Sequence, residues 1–521
     1  MSKKTRKITI TTKPSGLCSD VDRLLKKATN KQLTNTFNQY TRKLGQSFYN
    51  EQHKIINRIN TVRQNLLSRI SIQNTGQSGQ STKDINITIT EQPLTPEYQI
   101  PRLHSILEYL NSHQPDIFPK YGISITEIQK LISNQAGLHQ YLHNNSQLGE
   151  KVITLLTSII SSSTDDAMEG LSFHTLLYNS FTSFMILKHL EEHIRKLFKI
   201  SITYNGKVYG DAIYLFGYSN LGSTRNKFNK YIESIVNRVL FFNEFLETDK
   251  LPDKMVFFIT NMKKEINPEL EHTAHFKSLH VNSAVINGFE VIIYREEELL
   301  KSIFHELIHY HNLDFKSISG IQYRQLLKFI QHHQNISSQN KFLFYECITE
   351  SLANILNNIY NCPGNREIES CFIKNYSSEL LFTTFQISKI LNICGYHTWA
   401  EFCSSESHNI PGTMEYKQDS CVFSYYILKL YILLNATQYF NLCLDSQLRF
   451  IKTDNSINQL VEIFKSGRDN IYLANLVNAI LEYFKHSGNR FQKYSKTRTS
   501  NIKSYMKNEK LYKTLRFTCL G

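Results

Sequence analysis

The sequence predicts an α+β chain in which helix predominates, and three observations carry that expectation. Proline and glycine are scarce, 10 and 20 in 521 residues, which favours long uninterrupted helices. Over most of the chain apolar residues recur at three- and four-residue steps, the spacing of a helix that buries one face. Between residues 200 and 295 that pattern gives way to short β-branched and aromatic runs broken by Asn-Gly pairs, a hairpin signal.

In chain order, residues 1–30 read as a basic arm. Residues 31–72 read as a long helix or helical hairpin, with Leu33, Phe37, Tyr40, Leu44 and Phe48 on one face. The polar run QNTGQSGQSTKD (73–84) reads as a linker. Residues 85–200 are expected to be mostly helical: LHSILEYLN, SITEIQKLIS and KVITLLTSIISS are amphipathic and carry no chemistry, so a packing role is the plain reading. Strands follow, in a hairpin over 200–219 turning at Asn205-Gly206, a buried MVFFIT (255–260), and a second hairpin over 280–295 turning at Asn287-Gly288. Helices are expected near 320–334, 341–360, 376–393, 420–436, 445–465 and 470–486. The domain organisation expected is an N-terminal arm, helix and linker (1–84), a helical domain (85–200), a mixed strand-and-helix domain (201–486) and a basic tail (487–521). No internal repeat at solenoid spacing is present.

Composition narrows the classes. At 41% hydrophobic residues the chain can bury a sizeable core. Nine cysteines without a CxxC pair argue against a disulfide framework or a cysteine-zinc module, and for a reducing, intracellular setting. The N-terminus lacks the apolar stretch of a signal peptide, and no run reaches the roughly 18 apolar residues of a membrane helix. The net charge of +14 is uneven: residues 1–70 hold 15 Lys and Arg against 3 Asp and Glu, and residues 481–521 hold 10 against 2. Such ends can attract nucleic acid by a non-specific, salt-sensitive term, or can be simple solvated surface. No P-loop, GxGxxG or GxSxG pattern occurs. Trp399 reads as a packing residue.

The chemistry centres on HELIH, residues 305–309. Glu296, Glu297 and Glu298 would occupy a helix start, where negative charge suits the dipole. Leu299, Leu300, Ile303, Phe304, Leu307 and Ile308 follow at helical spacing. His305 and His309, four apart, then share a face and can both reach one zinc ion, with Glu306 beside the metal to take a proton from water. A third ligand is needed. Asn312 and Phe315 stand where the metzincin extension has its glycine and third histidine, and Asp314 is one step short. Downstream, FYECITESLANIL offers Glu346 and Glu350 four apart on another helix: one carboxylate can complete the site while the other fixes a histidine tautomer. His332 and His333 are alternative ligands. His311 reads as a supporting or solvent-facing group.

HExxH followed by a helix carrying ExxxE resembles the gluzincin metallopeptidases. The stretches VNSAVINGFEVIIYREEELLKSIFHELIHYHNLDF, YECITESLA and QDSCVFSYYILK look like predicted metallopeptidases of large DNA viruses, over roughly residues 275–435. The resemblance implies a zincin-like core with a helical N-terminal extension. It implies zinc on His305, His309 and Glu346, Glu306 as general base, and Glu350 as the acid behind a ligand histidine. Glu replaces the commoner Asp at 350. An edge strand, here VNSAVI (281–286), would hold extended peptide substrate by backbone pairing. A Tyr or His from a later segment would stabilise the oxyanion, and Tyr425, Tyr426, Tyr416, His397 and His408 are eligible. The reaction implied is zinc-dependent peptide hydrolysis, with virion association as a further expectation. The rival expectations are an inactive zincin-fold structural protein and a nucleic-acid-binding protein that uses its basic ends.

Overall fold

The computed structural model describes residues 17–28, 31–74, 84–94, 103–135, 137–162, 183–287, 290–315, 319–331, 340, 342–364, 367–404, 412–494 and 511–520. The fold is α+β and predominantly helical, built on a mixed sheet. Nine strands occur among these residues: β1 (Ile70–Asn74), β2 (Ile85–Gln92), β3 (Lys196–Tyr204), β4 (Lys207–Gly217), β5 (Lys254–Ile259), β6 (His275–Phe276), β7 (Ala284–Asn287), β8 (Glu290–Ile293) and β9 (Lys417–Gln418). Seven of them form one sheet in the order β1-β2-β3-β4-β5-β8-β7, and β6 pairs with β9. The β3–β4 hairpin turns at Asn205-Gly206, where φ is 48° and 74°, the left-handed pair that a two-residue turn requires. β7 and β8 run antiparallel with Asn287 opposite Glu290, as expected of the second hairpin; Gly288 lies outside the described residues. β7 is an edge of the sheet and begins at Ala284, three residues later than the expected edge strand.

Two strands depart from the expectation. Ile70–Asn74 reads as a continuation of the preceding helical spacing yet pairs parallel to β2, and INITITEQ alternates buried and half-buried residues as a strand does. β2 pairs with β3, so one sheet crosses the boundaries expected at 84 and 200. Alternation explains the layering. Ile213, Leu215, Met255, Phe257, Val291 and Ile293 face the large core, while Tyr214, Phe216, Val256, Phe258 and Ile292 face a second core formed by the helices between Leu103 and His193. Those helices are a layer covering one face of the sheet. The helix Arg225–Leu246 and the helix carrying HELIH lie on the other.

The end of the chain also departs from expectation. Residues 511–520, expected in a basic tail, are largely buried, because Leu511, Leu515, Phe517 and Leu520 supply apolar surface that the core takes up. Their backbone is bonded by side chains from several elements: Lys429 Nζ donates to Phe517 O at 2.6 Å, Gln386 Nε2 to Arg516 O at 2.7 Å, and Thr518 N donates to Glu298 Oε1 at 2.8 Å. Arg516 is 8% exposed and so is not presented to a polyanion. Cys519 is disulfide-bonded, an exception to the expectation, whereas seven cysteines are free thiols. Among the described residues no helix is long and apolar enough to cross a membrane. Truncating Phe517 to Ala empties a site between Tyr425 and Tyr426, whose rings lie 4.6 and 5.2 Å away; the expected loss is about 3–5 kcal/mol of stability, read from the denaturant midpoint.

Candidate metal centre

HELIH lies on the helix Leu299–Tyr310, preceded by a 3-10 turn over Glu296–Glu298. Leu299, Ile303, Phe304, Leu307 and Ile308 bury its apolar side in the large core. His305, Glu306 and His309 are also buried, at 7%, 4% and 4% exposure, so polar chemistry sits inside the protein. Glu346 and Glu350 sit on the neighbouring helix Tyr345–Tyr360.

His305 Nε2 and His309 Nε2 are 3.3 Å apart, and Glu346 Oε2 stands 3.2 Å from the first and 3.4 Å from the second. A tetrahedral ion with bonds of about 2.0–2.1 Å holds its ligand atoms about 3.3 Å apart, so the triangle has the dimensions of three corners of such a site. Glu346 Oε2 is buried without a hydrogen-bond partner. This group can hold a metal ion.

The far nitrogens are held by carboxylates. His305 Nδ1 lies 3.0 Å from Glu350 Oε2, which also receives Lys301 Nζ at 2.6 Å. His309 Nδ1 donates to Asp314 Oδ2, which also accepts from Thr349 Oγ1 at 3.3 Å. With each Nδ1–H directed at a carboxylate, each Nε2 lone pair is left for a metal. Burial would raise the Glu350 pKa, but Lys301 and His305 outweigh it and hold the group low and ionised. Burial would lower the His309 pKa, yet the Glu346 charge and the Asp314 hydrogen bond prevail and raise it to about 10. His305 is raised in the same way, against burial, by the adjoining carboxylates of Glu346 and Glu350. Burial likewise opposes ionisation of Glu346, and the two histidines reverse that and hold it well below the usual carboxylate range. The cluster is built for positive charge, supplied by protons or by a cation.

Glu306 is buried beside the triangle, and its negative charge acts on His305, Tyr345 and Tyr425. Tyr425 belongs to a π-helical turn over Phe423–Leu428, a geometry common at functional sites, and its ring lies 6.0 Å from that of His305. Burial, then Glu346, Cys421, Glu306 and Glu350, push its hydroxyl well above the ordinary tyrosine value, so it remains a donor. Its hydroxyl is shared with the Cys421 thiol, and the other eligible residues are engaged away from the triangle. Tyr426 donates to Leu515 O, and Tyr416 to Gln418 Oε1 at 2.7 Å. His397 is exposed at a helix start, where its backbone N–H donates to Glu401. His408, His332 and His333 lie outside the described residues. His311 packs near Phe242, with ring centroids 5.3 Å apart, and is not in the triangle; burial, then Lys250, lower it to about 4.

Three contributors were not read from the sequence as parts of the site: Asp314 in this role, Tyr345, whose ring lies 5.6 Å from that of His309, and Lys301. Asp314 had a signal. Asn312 adopts φ 51°, and Asn312 N and Leu313 N bond back to His309 O and Ile308 O at 3.1 and 3.0 Å. That is a left-handed helix stop, which Asn tolerates, and it turns residue 314 back toward the helix.

No family model and no solved structure matches the chain. An uncharacterised protein of Acanthamoeba polyphaga mimivirus is 28% identical over 219 residues, covering 36% of this chain and 52% of the viral protein. The chain thus spans about half the length of that curated relative, and the likeness is to a viral protein.

Asp314→Ala is expected to weaken metal affinity about 10–100-fold while leaving all three ligands in place, measured by competition with a chromogenic chelator. In chelator-treated protein His309 has a folded pKa of about 10 against a reference of 6.5. Its contribution to stability is complete below about 6.5 and disappears as pH climbs to about 10. The denaturation midpoint of metal-free protein should therefore fall across that window, and His309→Ala should flatten the fall.

Proposed function

We propose that the chain is a zinc-dependent metallopeptidase of gluzincin type. What carries this reading is the triangle of His305 Nε2, His309 Nε2 and Glu346 Oε2, with edges of 3.2–3.4 Å, backed by a carboxylate on each histidine. Two nitrogens and one carboxylate oxygen are a donor set that suits zinc. Bound at these three residues, zinc supplies Lewis acidity that eases deprotonation of water and polarises a carbonyl.

The protein's own residues supply the rest. Glu306 accepts the proton of the attacking water and passes it to the leaving amine. Tyr425, kept protonated, donates a hydrogen bond to the oxyanion as the carbonyl carbon becomes tetrahedral. Glu350 and Asp314 keep the ligand imidazoles in one tautomer. β7, on the edge of the sheet and beside the HELIH helix, offers unpaired backbone groups to an extended peptide.

Glu306→Gln separates an enzyme from an inactive scaffold. It should retain about one zinc per chain while hydrolysis of a casein or fluorogenic peptide library falls about 10²–10⁴-fold. Wild-type protein that binds zinc but cleaves no peptide would favour the scaffold. Tyr425→Phe should lower kcat about 10²–10³-fold with little change in KM.

A further inference from the structure

A second polar cavity lies away from the metal centre. Its volume is about 360 Å³, within the roughly 300–1,000 Å³ of small-molecule sites. Arg63 of the long helix Lys31–Arg69, Asn237 and Arg238 of the helix Arg225–Leu246, Leu300, and Tyr360 at the end of the Glu346 helix line it. Tyr360 closes the helix that Glu346 opens, about 21 Å away at ~1.5 Å per residue. No Asp or Glu lines the cavity.

The two guanidinium groups share the Tyr360 ring, at 5.5 and 4.9 Å from its centroid. Arg63 Nη1 donates to Cys362 O at 2.7 Å, which caps a helix end and uses one nitrogen of the fork. Arg238 is 5% exposed; its Nη1 donates to Ser234 O at 3.0 Å, and its Nε is buried without a partner. The Tyr360 hydroxyl and Asn237 Oδ1 are likewise buried and unpartnered. Among the described residues neither arginine has a carboxylate partner, and burial, offset only in part by Tyr360 and Tyr231 and reinforced by Arg63, pulls Arg238 down to about 10. Two cations brought together in a partly buried cavity, with no anion to offset them, are costly unless an anion joins them. Planar forks suit phosphate and carboxylate groups.

We propose that this cavity binds a small molecule bearing a phosphate or carboxylate group, held by Arg63 and Arg238 with Tyr360 and Leu300 against its apolar part. The test is calorimetric titration of the full chain with inorganic phosphate and, separately, with succinate, in low-chloride buffer. One of the two anions should bind saturably at one site per chain, and its identity names the head group. Arg63→Gln and Arg238→Lys should each weaken that binding at least tenfold, with bound zinc unchanged. Arg63 is partly exposed, so Arg63→Gln keeps the test available if Arg238→Lys does not fold. Absence of saturable binding by both anions overturns the proposal. So does binding that persists undiminished in the variants, which would locate the anion elsewhere, including at the metal centre.

Discussion

Glu350 is buried completely and touches two partners on the neighbouring helix, Lys301 Nζ at 2.6 Å and His305 Nδ1 at 3.0 Å. A carboxylate removed from water at that depth is tolerable only when its charge is matched, and Lys429 Nζ, 3.9 Å from Oε1, adds to that match. The two contacts therefore fix how the helices meet. Lys301, His305 and His309 stand one turn apart on one helix, and Glu350 and Glu346 one turn apart on the other. Lys301 meets Glu350, His305 meets both acids, and His309 meets Glu346. The helices are thus antiparallel where they touch, and a slip by one turn would leave a buried charge unmatched at each end. The convergence of His305 Nε2, His309 Nε2 and Glu346 Oε2 is a consequence of that register.

The register is itself supported from below. Lys264 pairs with Glu298 at 2.5 Å, both fully buried, and Glu298 also receives Thr518 N. Phe517 lies under this layer, with Lys264 Nζ 3.3 Å and Lys301 Nζ 4.9 Å from its ring centroid and the Tyr425 ring on another side. A cation over an aromatic face gains attraction that grows as water is excluded. The last described residues thereby hold Lys301 and Tyr425, one behind a ligand and one beside it. Residues distant in sequence are joined into one buried electrostatic unit, whose members should not act additively when replaced.

How much of this was legible follows from the range of each interaction. Periodicity and Asn-Gly turns are local, so the HELIH helix, the acid helix and both hairpins could be read directly. Four-residue spacing placed His305 with His309, and Glu346 with Glu350, because a helix carries that information in its pitch. β1 and β2 were missed because a short strand that follows a long helix continues an apolar pattern, and pairing partners lie far along the chain. Residues 511–520 misled for a related reason. Lys513 and Arg516 dominate a charge count, while Leu511, Leu515, Phe517 and Leu520 around them decide burial. Tyr425 could not be singled out among 29 tyrosines, since its distinction is proximity to His305.

Asp314 shows how a single backbone conformation directs the choice of ligands. The HELIH helix ends in a left-handed residue, Asn312, and the chain reverses at once. Residue 314 is then carried behind His309, onto Nδ1, and not to the front where Nε2 points. A carboxylate there cannot join the His305, His309 and Glu346 triangle, but it can orient the ring. With the segment after the helix committed to that task, the third corner of the triangle has to come from a different element. The acid helix supplies it, with Thr349 hydrogen-bonded to Asp314 three residues beyond Glu346. The same helix thus presents the ligand, steadies the acid behind His309 and, through Glu350, holds His305, so the two sides of the site are constrained together.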